Sequence, residues 1–170
     1  MISMRNIILN RNDYELKIVA YTRSHTLHVS KIINAPIRFV YDWCTDYTES
    51  DPKITGSKSK RNILLRTHNR VIYTSTYRSG GETRNAVNVV TLYPRKAWHL
   101  DFIGDDDDET GDYVLTKLGV QRTKLDMTFK EHYKTRKAPT KAQDLKHTHQ
   151  IWNRYVTALQ KDYTGRPKSH

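Results

Sequence analysis

The chain has 170 residues, a formal charge of +11 from 29 Lys and Arg against 18 Asp and Glu, and only 36% apolar residues. That length holds one domain, and a mean hydropathy of −0.78 goes with apolar runs far shorter than the ~20 residues of a membrane span. Eleven Tyr, three Trp and three Phe argue against a disordered chain, and the single cysteine, Cys44, excludes an internal disulfide and a Cys-rich zinc site.

The opening MISMRNIILN has neither a long apolar stretch nor a small-residue cleavage site, so a cytoplasmic protein is expected. Charge is unevenly spread. Residues 101–112 carry seven acids and no base, whereas residues 52–81 carry seven bases and no acid. Residues 130–170 carry ten bases and three acids. An acidic knob on a basic body follows, a field that suits an anionic partner and also serves solubility.

Residues 14–22 alternate weakly, with Leu16, Ile18 and Ala20 on one side, and read as a marginal edge strand within an N-terminal extension, residues 1–25. Residues 26–34 alternate more clearly through Leu27, Val29 and Ile33. Ala35-Pro36 ends that strand. Pro36 suits a first helical turn, with Asn34 or Ala35 near the cap. Ile37, Val40, Tyr41 and Cys44 then fall at i, i+3, i+4 and i+7, a short amphipathic helix. Asp46 to Asp51 suggest a second short helix or turn ended by Pro52, and residues 53–60 read as loop.

Six strands are expected next, over 61–68, 70–78, 85–93, 97–103, 111–119 and 122–133. Turns at His68-Asn69, Ser79-Gly80-Gly81 and Pro94-Arg95-Lys96, a longer acidic one over Gly104–Gly111, and one at Gly119 separate them. With no helices between them, these strands must run antiparallel. The last strand divides Leu125, Met127 and Phe129 from Lys124, Asp126, Thr128 and Lys130, and residues 97–103 divide Trp98, Leu100 and Phe102 from His99 and Asp101. After a basic linker, Thr140 caps a helix that runs to about Tyr163 and stops at Gly165-Arg166-Pro167, leaving 166–170 as a tail. Leu145, His149, Trp152, Val156, Leu159 and Tyr163 form its apolar stripe.

One long helix must cover a sheet of six or seven strands. A bent sheet cannot touch a straight rod everywhere, so a cavity is expected between them. Its expected lining is Trp98, Leu100, Phe102, Met127 and Phe129 from the strands and Leu145, His149, Trp152, Tyr155 and Val156 from the helix.

Three stretches carry a family resemblance: HVSKIINAPIRFVYDWCTDY at 28–47, YPRKAWHLDFIGDDDDETGDYVLTKLGVQRTKLDMTF at 93–129, and HTHQIWNRYVTALQKDY at 147–163. Together they resemble the helix-grip superfamily of START lipid-transfer domains, pollen-allergen-like proteins and polyketide cyclase/dehydrase-like proteins (SRPBCC). The resemblance covers about residues 26–165. It implies an α+β fold, a curved antiparallel sheet of six to seven strands wrapped around a long C-terminal helix, with two short helices after the first strand. It also implies a tunnel for an apolar small molecule such as a lipid, sterol, quinone, polyketide or aromatic compound. Some members are cyclases or hydrolases and many are carriers.

For catalysis, the candidates are His99 with Asp101 as an inward acid–base pair, and His149 on the helix stripe. If Trp98, Leu100 and Phe102 face the cavity, however, His99 and Asp101 lie outside. His147, two residues from His149, should face elsewhere. Asp105–Glu109 lacks the spacing of a calcium loop and reads as a solvated hairpin. Cys44 reads as packed. No metal or cofactor is expected. A nucleic-acid module using bases in 53–70 and 134–146 with Tyr73, Tyr77 and Tyr133 is the third alternative. A monomer or a dimer fits each.

Overall fold

The computed structural model describes residues 7–8, 17–18, 20–48, 51–54, 58–79, 81–135 and 137–166. Most of the expected extension before residue 26, the glycine turn at Gly80 and the tail from 167 lie outside the described residues. Two short strands, β1 (Ile7–Ile8) and β2 (Lys17–Ile18), pair with each other.

The main sheet has seven strands: β3 (Arg23–Ile33), β4 (Lys60–Arg66), β5 (Arg70–Ser79), β6 (Glu82–Tyr93), β7 (Ala97–Gly104), β8 (Asp107–Gly119) and β9 (Arg122–Tyr133). Their order is β3-β9-β8-β7-β6-β5-β4, antiparallel throughout. Consecutive hairpins build the meander from β4 to β9. The opening strand then closes against the last one, Leu27 opposite Phe129 and Ile33 opposite Thr123. Between β3 and β4 stand α1 (Ile37–Cys44) and α2 (Asp51–Ile54), and the chain ends in α3 (Lys141–Gly165). The curved sheet and the single long helix are as the sequence leads one to expect.

Alternation fixes which face is which. On β9, Thr123, Leu125, Met127, Phe129 and Glu131 are all buried, while Lys124, Asp126, Thr128 and Lys130 point to the other side. Thr123 is fully buried, and its hydroxyl donates to the Ala35 carbonyl at 2.8 Å, pinning the corner where β3 turns into α1. Thr140 caps α3 as expected: its hydroxyl accepts from the Gln143 backbone N–H, and the Gln143 side chain accepts from the Thr140 backbone N–H at 2.8 Å.

Strand ends shift by up to three residues, as at Arg23 of β3 and Glu82 of β6, and three other boundaries differ more tellingly. Pro36, not Asn34 or Ala35, is the residue before the first turn of α1, because its ψ of 146° is extended and helical geometry starts at Ile37. Pro52 lies inside α2 rather than ending it; proline fits a first turn, where its missing N–H costs nothing. The long acidic turn is a tight one at Asp105-Asp106, and β8 already begins at Asp107. The last difference decides what the site contains.

Candidate functional site

Cross-strand registers place side chains in rows over the concave face. One row runs His25, Glu131, Glu109, Phe102, Asn88, Tyr73 from β3 across to β5. The next runs Leu27, Phe129, Gly111, Leu100, Val90, Val71. A third holds Val29, Met127, Tyr113 and Trp98. The rows change from aromatic and aliphatic to acidic along the strands.

Gly111 shapes this surface. A Cβ there would lie 2.9 Å from the Tyr113 ring, so the absent side chain lets Tyr113 lie down along its own strand. In that pose Tyr113 stacks on Trp98, centroids 4.7 Å apart and planes 9° from parallel, and meets Trp152 of α3 at 5.7 Å. Trp152 in turn contacts Tyr155, and Tyr155 meets Trp43 of α1 edge-on. These rings line a cleft of about 370 Å³ between sheet and α3.

The two ends of the cleft differ in charge. At one end Arg61 stands over the Tyr73 ring at 4.4 Å and the Tyr47 ring at 5.4 Å, and its guanidinium donates to the Thr48 carbonyl. At the other end are Asp107, Glu109, Glu131 and Asp144, with Tyr133 and His147. Glu131 is 7% exposed. Burial pushes both facing carboxyls up, Glu109 to about 7 and Glu131 to about 9. A hydrogen bond joins them, the Glu131 carboxyl donating to the Glu109 carboxylate. Two acids so placed hold one proton between them near neutrality. Burial and the charge of Asp106 also raise Asp107, to about 6. Asp144 accepts from the Tyr133 hydroxyl at 2.7 Å and pairs with His25 Nε2 at 2.5 Å.

Of the expected lining residues, Trp98, Leu100, Phe129, Trp152 and Tyr155 border the cleft. Met127 does not: it is 2% exposed and packs into the core. Phe102 turns along β7 toward Gly104, its ring against Tyr77, because glycine leaves that space open. Leu145 and Val156 pack against the core. His149 turns toward the sheet edge, where Lys31 Nζ lies 3.4 Å from its Nδ1. The reason is the seating of α3. Its apolar stripe lies against β3 and the core, so the neighbouring face (Asp144, His147, Thr148, Ile151) looks into the cleft. His147, expected to face elsewhere, therefore borders it.

His99 and Asp101 lie on the convex face, so the inward acid–base pair is not formed. His99 is held between Asp101 at 3.0 Å and Asp112 at 2.7 Å. Asp105–Glu109 is not the solvated hairpin expected. Strand alternation turns Asp107 and Glu109 into the cleft, and Asp108 is buried, its carboxylate bonded to Lys134 and the Tyr21 hydroxyl. Glu109 and Glu131 were missed, although the alternation Leu125, Met127, Phe129 runs straight on to Glu131. No group of His, Cys, Asp and Glu among the described residues is arranged to hold a metal ion. No helix among them is long and apolar enough to cross a membrane.

No protein-family model and no curated protein matches the chain. Solved structures do. An aromatase/cyclase, Zhui from Streptomyces sp. R1128, superposes with a TM-score of 0.65 at 15% identity, over 86% of this chain and 98% of that one. This chain has the helix-grip fold. A START superfamily protein from Mycobacterium smegmatis matches it with a TM-score of 0.62 at 15% identity, over 81% of this chain and 96% of that one. Major latex-like protein 151 of Panax ginseng gives 0.58 at 7% identity, over 80% and 97%. At such identities the likeness is one of helix-grip architecture, and function must be argued from the cleft itself.

Proposed function

We propose that this helix-grip protein binds a planar, largely apolar small molecule, lipid-like, quinone, polyketide or aromatic in kind, in the cleft under α3. The observation that carries this reading is the wall of rings, Trp98, Tyr113, Phe129, Trp152 and Tyr155, around about 370 Å³. Such a concave aromatic surface with a few polar groups at its ends is the usual form of a small-molecule site. The likeness to proteins described as aromatase/cyclases and START proteins supports it. The lone cysteine, Cys44 in the cleft wall, suits a reducing, cytoplasmic setting.

The test is titration with the neutral fluorophore N-phenyl-1-naphthylamine. Saturable binding with one site per chain is expected, with quenching of tryptophan emission and weakening by Trp152→Ala. A linear, unsaturable response would overturn the reading. A cyclase-like reaction in the same cleft is the second reading, favoured by the Glu109–Glu131 pair. One carboxyl holds a proton and the other lacks one, which is the equipment for general acid and base chemistry. Native mass spectrometry of the protein from its own cells, compared with E131Q, would tell carried ligand from converted product.

A further inference from the structure

We infer that the ligand of this cleft carries a positively charged nitrogen, an aromatic or otherwise planar amine whose ammonium sits among Asp107, Glu109, Glu131 and Asp144. The inference rests on the ligand-binding reading above and gives it a chemical class. Its basis is the polarity of one cavity. Rings form the walls, Arg61 closes one end, and four carboxyls line the other.

Asp144 is held by His25 and Tyr133, so it stays in place and adds its field. Lys134 is bonded to Asp108 and the Gly104 carbonyl, and its charge acts on Asp107, which also accepts from the Tyr77 hydroxyl. Arg23 donates to the Ala138 and Pro139 carbonyls. His147 borders the cleft from α3. Glu109 and Glu131 bond to one another, and both feel the charges of Asp107 and Asp144. The strand register sets the two glutamates side by side, so each faces a like group. A shared proton relieves that repulsion. An ammonium does the same with a fixed positive charge and N–H donors, and charge-assisted hydrogen bonds are the strong ones.

The rings add to this. Tyr113 and Trp152 line the same cleft, and aromatic rings attract cations. At the far end Arg61 already lies over Tyr47 and Tyr73, so rings in this cleft present their faces to positive charge. The same Arg61 makes that end unwelcoming to an ammonium and gives a bound amine one orientation. Binding should also move a proton. Near neutral pH the entering cation displaces the proton shared by Glu109 and Glu131, which passes to solvent.

Two isosteric probes test this: 2-(2-naphthyl)ethylamine, protonated at pH 7, and the neutral 2-(2-naphthyl)ethanol. We expect the amine to bind roughly tenfold tighter, the scale of one buried cation–ring and carboxylate contact. Titration calorimetry in phosphate and in Tris, whose ionisation heats differ, should show close to one proton released with the amine and none with the alcohol. The double variant E109Q/E131Q should shrink the amine's preference over the alcohol severalfold, with Asp107 and Asp144 holding what is left of it. Equal affinities in the native protein, or no proton release, would overturn the inference while the ligand-binding reading stands. Failure of both probes to saturate would overturn both. The native-protein comparison needs no variant to fold.

Discussion

His25 Nε2 lies 2.5 Å from Asp144 Oδ2, joining the first part of β3 to the first turn of α3. The same oxygen accepts from the Tyr133 hydroxyl, so three elements meet at one atom. Both partners are nearly buried, and a charged acceptor there is expensive to leave half-satisfied. We expect His25→Ala to lower stability by roughly 1–3 kcal/mol. Amides of residues 145–149 should exchange faster than those near Leu159, which is fully packed. Hydrogen exchange by mass spectrometry would check this. Uniform acceleration along α3 would show that the contact does not anchor its start.

Gly111 offers a second test, by addition. A methyl there meets the Tyr113 ring at 2.9 Å, and the ring has Trp98 on one side and Trp152 near another. Gly111→Ala should therefore push Tyr113 off Trp98 and into the cleft. We expect a loss of roughly 1–3 kcal/mol, as for overpacked cores, with a changed near-ultraviolet circular dichroism spectrum and weaker N-phenyl-1-naphthylamine binding. Unchanged binding with a changed spectrum would place the probe elsewhere.

Met127 and Trp152 separate core from site. Both are expected in the lining by sequence, Met127 from β9 and Trp152 from α3, yet only Trp152 borders the cleft, while Met127 is 2% exposed beneath the rings. Met127→Ala should cost about 2–5 kcal/mol of stability and spare probe affinity. Trp152→Ala should do the reverse in emphasis, weakening the probe more than it weakens the fold. Urea denaturation alongside probe titration distinguishes the two.

Strand alternation and turn residues carry most of this architecture, which is why the meander, its antiparallel sense and the capped α3 can be read without coordinates. What alternation cannot report is where a strand stops. Reading Gly104–Gly111 as one loop removed Asp107 and Glu109 from any face at all. They are strand residues because a two-residue turn suffices and Gly111 sits inside β8 rather than in a turn. The helix posed a different problem. Its apolar stripe is genuine, but it marks what α3 packs against, so it led to His149 and Val156. The cleft takes one flank of that stripe, reached by the stripe's own Trp152 and by Tyr155, but also by Asp144, His147, Thr148 and Ile151, which the stripe does not mark. The register with Trp98 inward puts His99 on the convex side. On the convex face between two aspartates, with His99 29% exposed at its side chain, His99→Ala should leave probe binding unchanged and shift stability by about 0–1 kcal/mol.

The acidic end makes a prediction about pH whose sign follows from burial. Glu109 and Glu131 have an ordinary value of 4.5 and are raised in the folded protein, to about 7 and about 9. A carboxyl raised on folding favours the protonated chain in its folded form. Its contribution is complete below the unfolded value and is lost as pH climbs through the folded value. Stability should therefore decline between about pH 5 and pH 9, and Asp107, raised to about 6, adds to the early part of that fall. Glutamine keeps the shape and a hydrogen bond while removing the charge. E109Q/E131Q should match the native protein at pH 5 and exceed it at pH 9 by roughly 1–3 kcal/mol. Urea midpoints measured at pH 5, 7 and 9 give the comparison. Parallel declines in the two proteins would mean that the pair ionises without penalty, and that it is wetter than its position behind α3 implies.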